Sequence, residues 1–368
     1  MLIEQAKEFG HIITKLINKE DLSRHEAKEA FSQILLNQQS EMQQGAFLAA
    51  LTSKRETVEE IAGCWEAIYE LDTVKVIPDV PEPLVDNCGT GMDTIKTFNI
   101  STAASIIAAA AGIRMAKHGA RAITSVCGTI DILEKLGVDV ECSPQIVKKS
   151  IEKAGIGIFN GMSPKVHPQA LGRVLSQISF GTILNISGSL SNPALPRYGV
   201  RGVYSKELVK PVAQVMREIG YKKAVVVHGL AEDEVKGMDE ASTLGHTIIA
   251  ELRENGEIIM YSFAPEDIGI KRSEMHLLAP SENREEEVLR FLAVLKGEEE
   301  GARSDIVCLN AALILYLVNC NNSLEECYRK AKEIIFSGEA IKKLYDWVAE
   351  QNNEPEIGLE RLNTLLKK

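Results

Sequence analysis

The strongest constraint on the fold is an alternation between short apolar runs and helical segments that begins at Leu84. Runs such as LVDNC, RMAKHG and KKAVVVHG have the length of buried strands. Segments such as TAASIIAAAA, PQIVKKSIEKAG and ELVKPVAQVMREIG lie between them and have helical length and composition. Strands that alternate with helices predict a mostly parallel sheet with helices on its faces. We therefore expect an α/β fold over most of the chain.

The regions on either side of this alternation are expected to be helical. The segment VKVIPDVPEP carries three prolines, which break helices and indicate a linker, so we place a domain boundary near residue 75. The last third, from about Asn283, again has helical patterning. Before the linker we predict four short helices, three of which begin with the spacing of a capping box: Ser23 with Glu26, Ser40 with Gln43, and Thr57 with Glu60.

The composition argues against several classes of protein. The 368 residues carry a formal net charge of −11, which disfavours a nucleic-acid partner because phosphate neutralisation needs clustered Lys and Arg. The seven cysteines include no CxxC pair and lie mostly in apolar runs, which is typical of a reducing cytoplasm. The N-terminus does not resemble a signal peptide, and the longest apolar runs are too short to span a bilayer. We therefore expect a cytoplasmic protein with no membrane or nucleic-acid partner.

The stretch DNCGTGMDTIKTFNIST follows the first predicted strand and has the features of a phosphate-binding turn. Gly89 and Gly91 let backbone amides approach a ligand, and Asn99 with Ser101 marks the positive end of the next helix. Asp93 would repel phosphate unless it binds a sugar hydroxyl, an amide or a divalent metal. The stretch is neither GxGxxG nor a Walker A loop. On its own it favours a glycine-rich turn that only caps a helix, and the rest of the chain has to decide.

A second stretch, MAKHGAR, supports the ligand-binding interpretation. We expect Lys117, His118 and Arg121 to follow another strand end, and ligands of parallel sheets bind outside the carboxyl ends of the strands. A phosphate group would fit between the two loops.

Nine motifs together resemble the anthranilate phosphoribosyltransferase family in order and spacing: GTGMDTIKTFNIST, AKHGAR, GTIDILEKLGV, SPKVHP, TILNISGSLSNP, GVYSKELV, VVVHG, MDE and DIVCLNAA. The resemblance covers almost the whole chain. It implies a helical domain (residues 1–75, with a returning helical segment near 168–190) hinged to an α/β domain (residues 76–167 and 191–368). It further implies a homodimer of tryptophan biosynthesis that transfers phosphoribose from 5-phosphoribosyl-1-pyrophosphate (PRPP) to an aromatic amine with Mg²⁺.

The resemblance also implies roles for individual residues. The donor-binding candidates are Gly89, Thr90, Gly91, Asp93, Asn99, Ser101, Thr102, Lys117 and Thr129. Lys117 and Asp93 are the catalytic candidates, Lys117 because it would stabilise the departing pyrophosphate. The metal candidates are Asp239, Glu240 and Ser101, since paired carboxylates suit magnesium.

The acceptor side departs from the family pattern. Its candidates here are His118, Ala120, His167, Arg173 and Ser189. Ala120 replaces an asparagine of the family and Ser189 replaces a proline. The segment before TILN is about two residues shorter than in the family, with Leu175 and Ser176 near the place of an arginine that faces the anthranilate carboxylate. We expect an altered acceptor, with Arg173 as a substitute guanidinium if its helix shifts.

Two other functions remain open on the sequence. A nucleoside phosphorylase has the same fold, but it would not need the Asp239–Glu240 pair to hold a pyrophosphate–magnesium complex. A non-catalytic relative that binds nucleic acid is disfavoured by the acidic charge balance. We also expect Arg201, at a position that is usually aliphatic in the family, to be a surface residue.

Overall fold

The computed structural model describes residues 2–81, 83–91, 94–121, 128–178, 180–319 and 322–368, with side chains from residue 7 onward. The chain begins with the four predicted helices: α1 (Leu2–Ile17), α2 (Arg24–Leu35), α3 (Glu41–Lys54) and α4 (Val58–Leu71). The capping boxes at Ser23 and Thr57 are complete, and the side chain of Ser40 accepts the amide of Gln43. The caps satisfy amides of the first turn and explain why the helices begin where the sequence predicts.

The larger part of the chain is built on one sheet. Its described strands are β1 (Leu84–Cys88), β2 (Arg114–Gly119), β3 (Ile156–Asn160), β4 (Tyr198–Gly202), β5 (Lys223–Leu230), β6 (Gly237–Met238), β7 (Thr247–Leu252) and β8 (Ile258–Phe263). The strand order is β3-β2-β1-β4-β5-β7-β8, with β6 paired to β5. The strands from β3 to β5 are parallel to one another, whereas β7 and β8 are antiparallel. The predicted mostly parallel sheet is confirmed.

Helices cover both faces of this sheet. Those between the strands are α5 (Ile100–Ala110), α6 (Thr129–Lys135), α7 (Pro144–Lys153), α8 (Leu171–Gln177), α9 (Ile183–Leu190) and α10 (Val209–Glu218). The C-terminal part forms α11 (Arg284–Lys296), α12 (Ala302–Val318), α13 (Leu324–Phe336), α14 (Glu339–Glu350) and α15 (Pro355–Leu366), as the sequence predicts. Among the described residues, no helix has both the length and the continuous apolar character needed to cross a bilayer.

Two hydrophobic cores lie on opposite sides of the sheet. Val225 and Val227 of β5 pack into the core that contains α5 and α12, while the alternate residues Ala224 and Val226 pack into the core shared with α4, α9 and α10. Leu171 of α8 belongs to this second core, so α8 and α9 pack with the N-terminal helices. The exact domain boundaries stay a prediction.

Candidate functional site

The candidate site is a cleft of about 270 Å³ at the carboxyl ends of β1, β2 and β3. One wall consists of the loops that follow the strands, and the other is formed by α8 and α9. The predicted site residues that line it are Gly89, Thr90, Gly91, Asn99, Ser101, Lys117, His118, Ala120, Thr129, Ser189, Asp239 and Glu240. Thr102, His167 and Arg173 lie outside the lining. Asp93 is outside the described residues.

The loop after β1 is held by Asp239. The amide of Gly91 donates a hydrogen bond of 2.7 Å to Oδ2 of Asp239, and Gly91 has φ of +74°. A Cβ on Gly89 would lie 2.3 Å from the same oxygen. Glycine is therefore required at 89 by the close approach of a carboxylate and favoured at 91 by the backbone conformation.

Asp239 and Glu240 place two carboxylates against this loop. Burial raises the pKa of Asp239, and the hydrogen bond from Gly91 opposes that effect by favouring the charged form. The described part of the chain contains no group of three or more His, Cys, Asp or Glu residues arranged to hold a metal. Magnesium commonly binds through one or two carboxylates and takes its remaining oxygen ligands from phosphate and water. These oxygen donors fit a Mg²⁺ ion that binds together with a phosphorylated ligand.

The side chain of Asn99 accepts hydrogen bonds from two hydroxyl groups at the start of α5. Its Oδ1 accepts hydrogen bonds from Oγ1 of Thr102 at 2.6 Å and from Oγ1 of Thr129 at 3.4 Å. Asn99 is the N-cap residue of α5 but makes no side-chain cap bond. The predicted helix start is confirmed, and the first turn of α5 directs backbone amides towards the cleft, where an anion is favoured.

Lys117 lies within β2, although the sequence predicted a position after the end of a strand. Its side chain is 1% exposed, and its Nζ donates to the carbonyl oxygen of Asn87 at 2.6 Å and to Oγ of Ser105 at 3.1 Å. Burial lowers the pKa of Lys117, while the nearby acidic groups, including Asp86, oppose the shift. In this structure the ammonium anchors β1 beneath the glycine loop and also lines the cleft.

His118, also within β2, forms a buried chain with His167. Nδ1 of His167 donates to the carbonyl oxygen of Asp72 at 2.6 Å, and its Nε2 shares a hydrogen bond of 3.1 Å with Nε2 of His118. Nδ1 of His118 lies 3.4 Å from the carbonyl oxygen of Ser189. Burial, and secondarily His167, lowers the pKa of His118 to about 3. Asp72 ends α4, and its carboxylate accepts amides of Ala170 and Leu171 at the start of α8. His118, on the acceptor side of the cleft, is thus neutral and is connected through His167 and Asp72 to the end of α4.

Arg173 lies away from the cleft. Its guanidinium donates to Oε1 of Gln44 at 3.3 Å and to the carbonyl oxygen of Ile34 at 3.2 Å, both in the N-terminal helices. The expected substitute for a carboxylate-binding arginine therefore packs against the helical domain, because the bundle offers it two oxygen acceptors. Leu175, two residues further on and on the opposite side of α8, lines the cleft instead.

The expectation that Arg201 is a surface residue is wrong. Arg201 is 1% exposed, and its Nη2 lies 3.0 Å from Oδ2 of the fully buried Asp86. Its Nε and Nη1 are buried without a hydrogen-bond partner. The only sequence signal for this pair is that both residues lie inside otherwise apolar strand segments, which is unusual for charged groups that are not paired.

Both parts of this architecture match known domains. Residues 10–71 match the helical bundle domain of a glycosyl transferase family, and residues 81–341 match the a/b domain of the same family. The chain therefore belongs to this glycosyl transferase family.

More specific relatives share most of their length with this chain. Anthranilate phosphoribosyltransferase of Persephonella marina is 38% identical over 90% of this chain and 96% of its own. That of Methanococcoides burtonii is 38% identical over 96% and 97%. The crystal structure of the Thermus thermophilus enzyme has a TM-score of 0.83 and 34% identity, covering 92% of this chain and 99% of its own. Within the glycosyl transferases, the chain belongs to the anthranilate phosphoribosyltransferase family of pentosyltransferases.

A more distant structure shares the fold. Anthranilate phosphoribosyltransferase from Saccharomyces cerevisiae in complex with PRPP and Mg is 24% identical, with a TM-score of 0.81 over 94% of this chain and 98% of its own. At this identity the likeness concerns the fold alone.

Proposed function

We propose that this protein transfers the phosphoribosyl group of PRPP, with magnesium, to anthranilate or a related aromatic amine. One observation carries the proposal: the glycine loop, the start of α5, Lys117 and the Asp239–Glu240 pair all line a single cleft. Amides, a lysine and a carboxylate pair are together the groups that bind a magnesium pyrophosphate. The names of the relatives support the same reaction.

In the proposed reaction the bond from C1 of the ribose to the pyrophosphate oxygen breaks, and pyrophosphate leaves with the electron pair. The lone pair of the amine forms the new C1–N bond, and the proton released from nitrogen passes to pyrophosphate or water. The amide of Gly89 and the positive end of α5 would hold the donor's phosphates in place, while the amide of Gly91 holds Asp239. Lys117 would add positive charge close to the leaving group. Magnesium, when bound by Asp239, Glu240 and Ser101, would neutralise further charge on the pyrophosphate.

The setting of the reaction is part of the same proposal. We propose that the protein works as a homodimer in a reducing cytoplasm, in tryptophan biosynthesis if anthranilate is the acceptor. In support, Cys64, Cys88, Cys142, Cys308 and Cys327 are free thiols.

The proposal is tested by measuring pyrophosphate release from PRPP and Mg²⁺ with and without an aromatic amine. The double variant Asp239→Asn with Glu240→Gln is expected to lose at least about 100-fold in kcat/KM because the leaving group loses its metal. Circular dichroism and thermal melting establish that the variant is folded.

The matched control is Glu285→Gln with Glu286→Gln, which removes two adjacent exposed carboxylates from the first turn of α11. It should retain full activity. An Asp239/Glu240 variant that keeps the normal magnesium dependence would contradict the metal assignment. Release of a free base from a nucleoside and phosphate, with no use of PRPP, would instead indicate a phosphorylase.

A further inference from the structure

Much of the side of the cleft that faces the helical domain is apolar. We call it the acceptor chamber and define it by Met162, Leu171, Leu175, Leu184 and Gly188. Leu171 and Leu184 are buried members of the core shared with the N-terminal helices. Asn185 and Ser189 of α9 also line this wall, but neither carries a charge, so a charged substituent there would lose its water without gaining a partner of opposite charge.

Each basic side chain that lines the cleft already interacts with other groups of the protein. Among the described residues, the lining side chains with a formal positive charge are Lys96, Lys117 and Arg121. Lys96 acts electrostatically on Asp239, and the Nζ of Lys117 is bound beneath the glycine loop. Arg121 forms ion pairs with three carboxylates, those of Asp131, Glu134 and Glu141.

Two further arginines lie behind the chamber without entering it. Arg173 donates to Gln44 and to the carbonyl oxygen of Ile34, and Arg201 is paired with Asp86. The stretches outside the described residues contain no Lys, Arg or His in the sequence. No further basic side chain of this chain is therefore available from those stretches.

The imidazole at the edge of the chamber is uncharged as well. The Nε2 atoms of His118 and His167 share a hydrogen bond, and Nδ1–H of His167 donates to the carbonyl oxygen of Asp72. Burial holds the pKa of both histidines below its usual value. Both ring nitrogens of His118 face protein atoms, Nε2 on His167 and Nδ1 at 3.4 Å from the carbonyl oxygen of Ser189, so the ring does not offer the positive charge that a carboxylate needs.

We propose that the acceptor of this enzyme is an uncharged aromatic or heteroaromatic nitrogen compound, without a carboxylate. This inference rests on the proposed phosphoribosyl transfer and specifies its second substrate. The nitrogen lone pair forms the bond to C1, pyrophosphate leaves with the electron pair of the broken bond, and the proton on nitrogen passes to pyrophosphate or water. The apolar wall packs against the aromatic ring of the acceptor, and the charged groups lie around the phosphates of the donor.

The test uses 2-aminobenzamide and anthranilate, which differ only in a neutral amide against a carboxylate. We expect 2-aminobenzamide to be preferred by about tenfold or more in kcat/KM and in the dissociation constant measured by calorimetry. Equal or better binding and use of anthranilate overturns the inference. Binding and turnover are measured separately. If the protein transfers phosphoribose to neither compound, the two dissociation constants still test the inference about the acceptor. The lack of turnover then counts against the proposed function.

A charge placed in the chamber gives a second test. Leu175→Arg puts a guanidinium on the lining of the cleft, and Ser176→Arg puts the same charge on the adjacent exposed position of α8. We expect the first variant to raise kcat/KM for anthranilate by about tenfold or more and the second to leave it unchanged. Equal effects of the two variants, both folded by thermal melting, would overturn the role of the chamber.

Discussion

At the residue scale, a buried ion pair between Arg201 and Asp86 lies beneath the candidate site. Arg201 and Asp86 are both buried, and the Nη2 of Arg201 also approaches the carbonyl oxygen of Ser189 at 3.4 Å. Asp86 in turn accepts the amide of His118 at 3.4 Å. The pair therefore connects β4, β1, β2 and α9 at the floor of the acceptor side. A buried pair of this kind specifies geometry more than it stabilises the fold.

Replacing one member of the pair should lower the free energy of unfolding much more than replacing both. Arg201→Met leaves the Asp86 carboxylate buried without its partner and is expected to lower the free energy of unfolding by about 3 kcal/mol. Adding Asp86→Asn should recover most of that loss. Urea unfolding of the two single variants and the double variant measures the coupling, and additive losses would show that the residues act independently.

At the scale of elements, Asp72 joins the end of α4 to the start of α8. Its carboxylate accepts the amides of Gln169, Ala170 and Leu171, and its carbonyl oxygen accepts Nδ1–H of His167. Helix α8 has only seven residues, so its isolated stability is small, and these bonds determine where it begins. The sequence predicted helix α4 and its cap but contained no sign that Asp72 would hold a helix about a hundred positions away.

Asp72→Ala is expected to loosen the start of α8 and to lower the free energy of unfolding by about 2 kcal/mol, since three backbone amides lose their acceptor. Hydrogen exchange of the amides at 169–171 should become faster. The control is Asp79→Ala in the exposed part of the linker, which should leave these amides unchanged. Unaltered exchange in the Asp72 variant would mean that packing alone holds α8.

At the scale of the whole molecule, the sheet separates two large cores, and the cleft lies where α8 and α9, which pack on the N-terminal helices, meet the carboxyl ends of the strands. The neutral His118–His167 chain lies at this junction. Because burial holds the folded-state pKa of both histidines below the unfolded value of 6.5, the unfolded chain binds more protons at mildly acidic pH. Asp72 and Arg201 act electrostatically on this pair, and Asp86 accepts the amide of His118.

Global stability should therefore fall as the pH is lowered below about 6.5, by up to roughly 1.4 kcal/mol per pH unit for each buried histidine. The pKa of His118 is lowered to about 3, so its contribution continues to fall through the mildly acidic range. Urea unfolding from pH 7 to pH 4.5 should show a shallower decline for His118→Gln than for the native chain. The exposed His25→Gln is the control, and parallel curves for all three proteins would contradict the prediction.

The sequence by itself determined the local structure: the capped N-terminal helices, the alternation that builds the parallel sheet, the glycine turn after β1 and the helix that begins at Asn99. These features depend on neighbours a few positions apart, and local patterns record them. Motif order also indicated the family and the Asp239–Glu240 pair. Only the tertiary structure decided that Asp239 holds the glycine loop, that Arg201 pairs with Asp86 and that Arg173 packs against the helical domain. Such pairings join residues more than a hundred positions apart, and they depend on how the cores bring distant elements together, which no local pattern encodes.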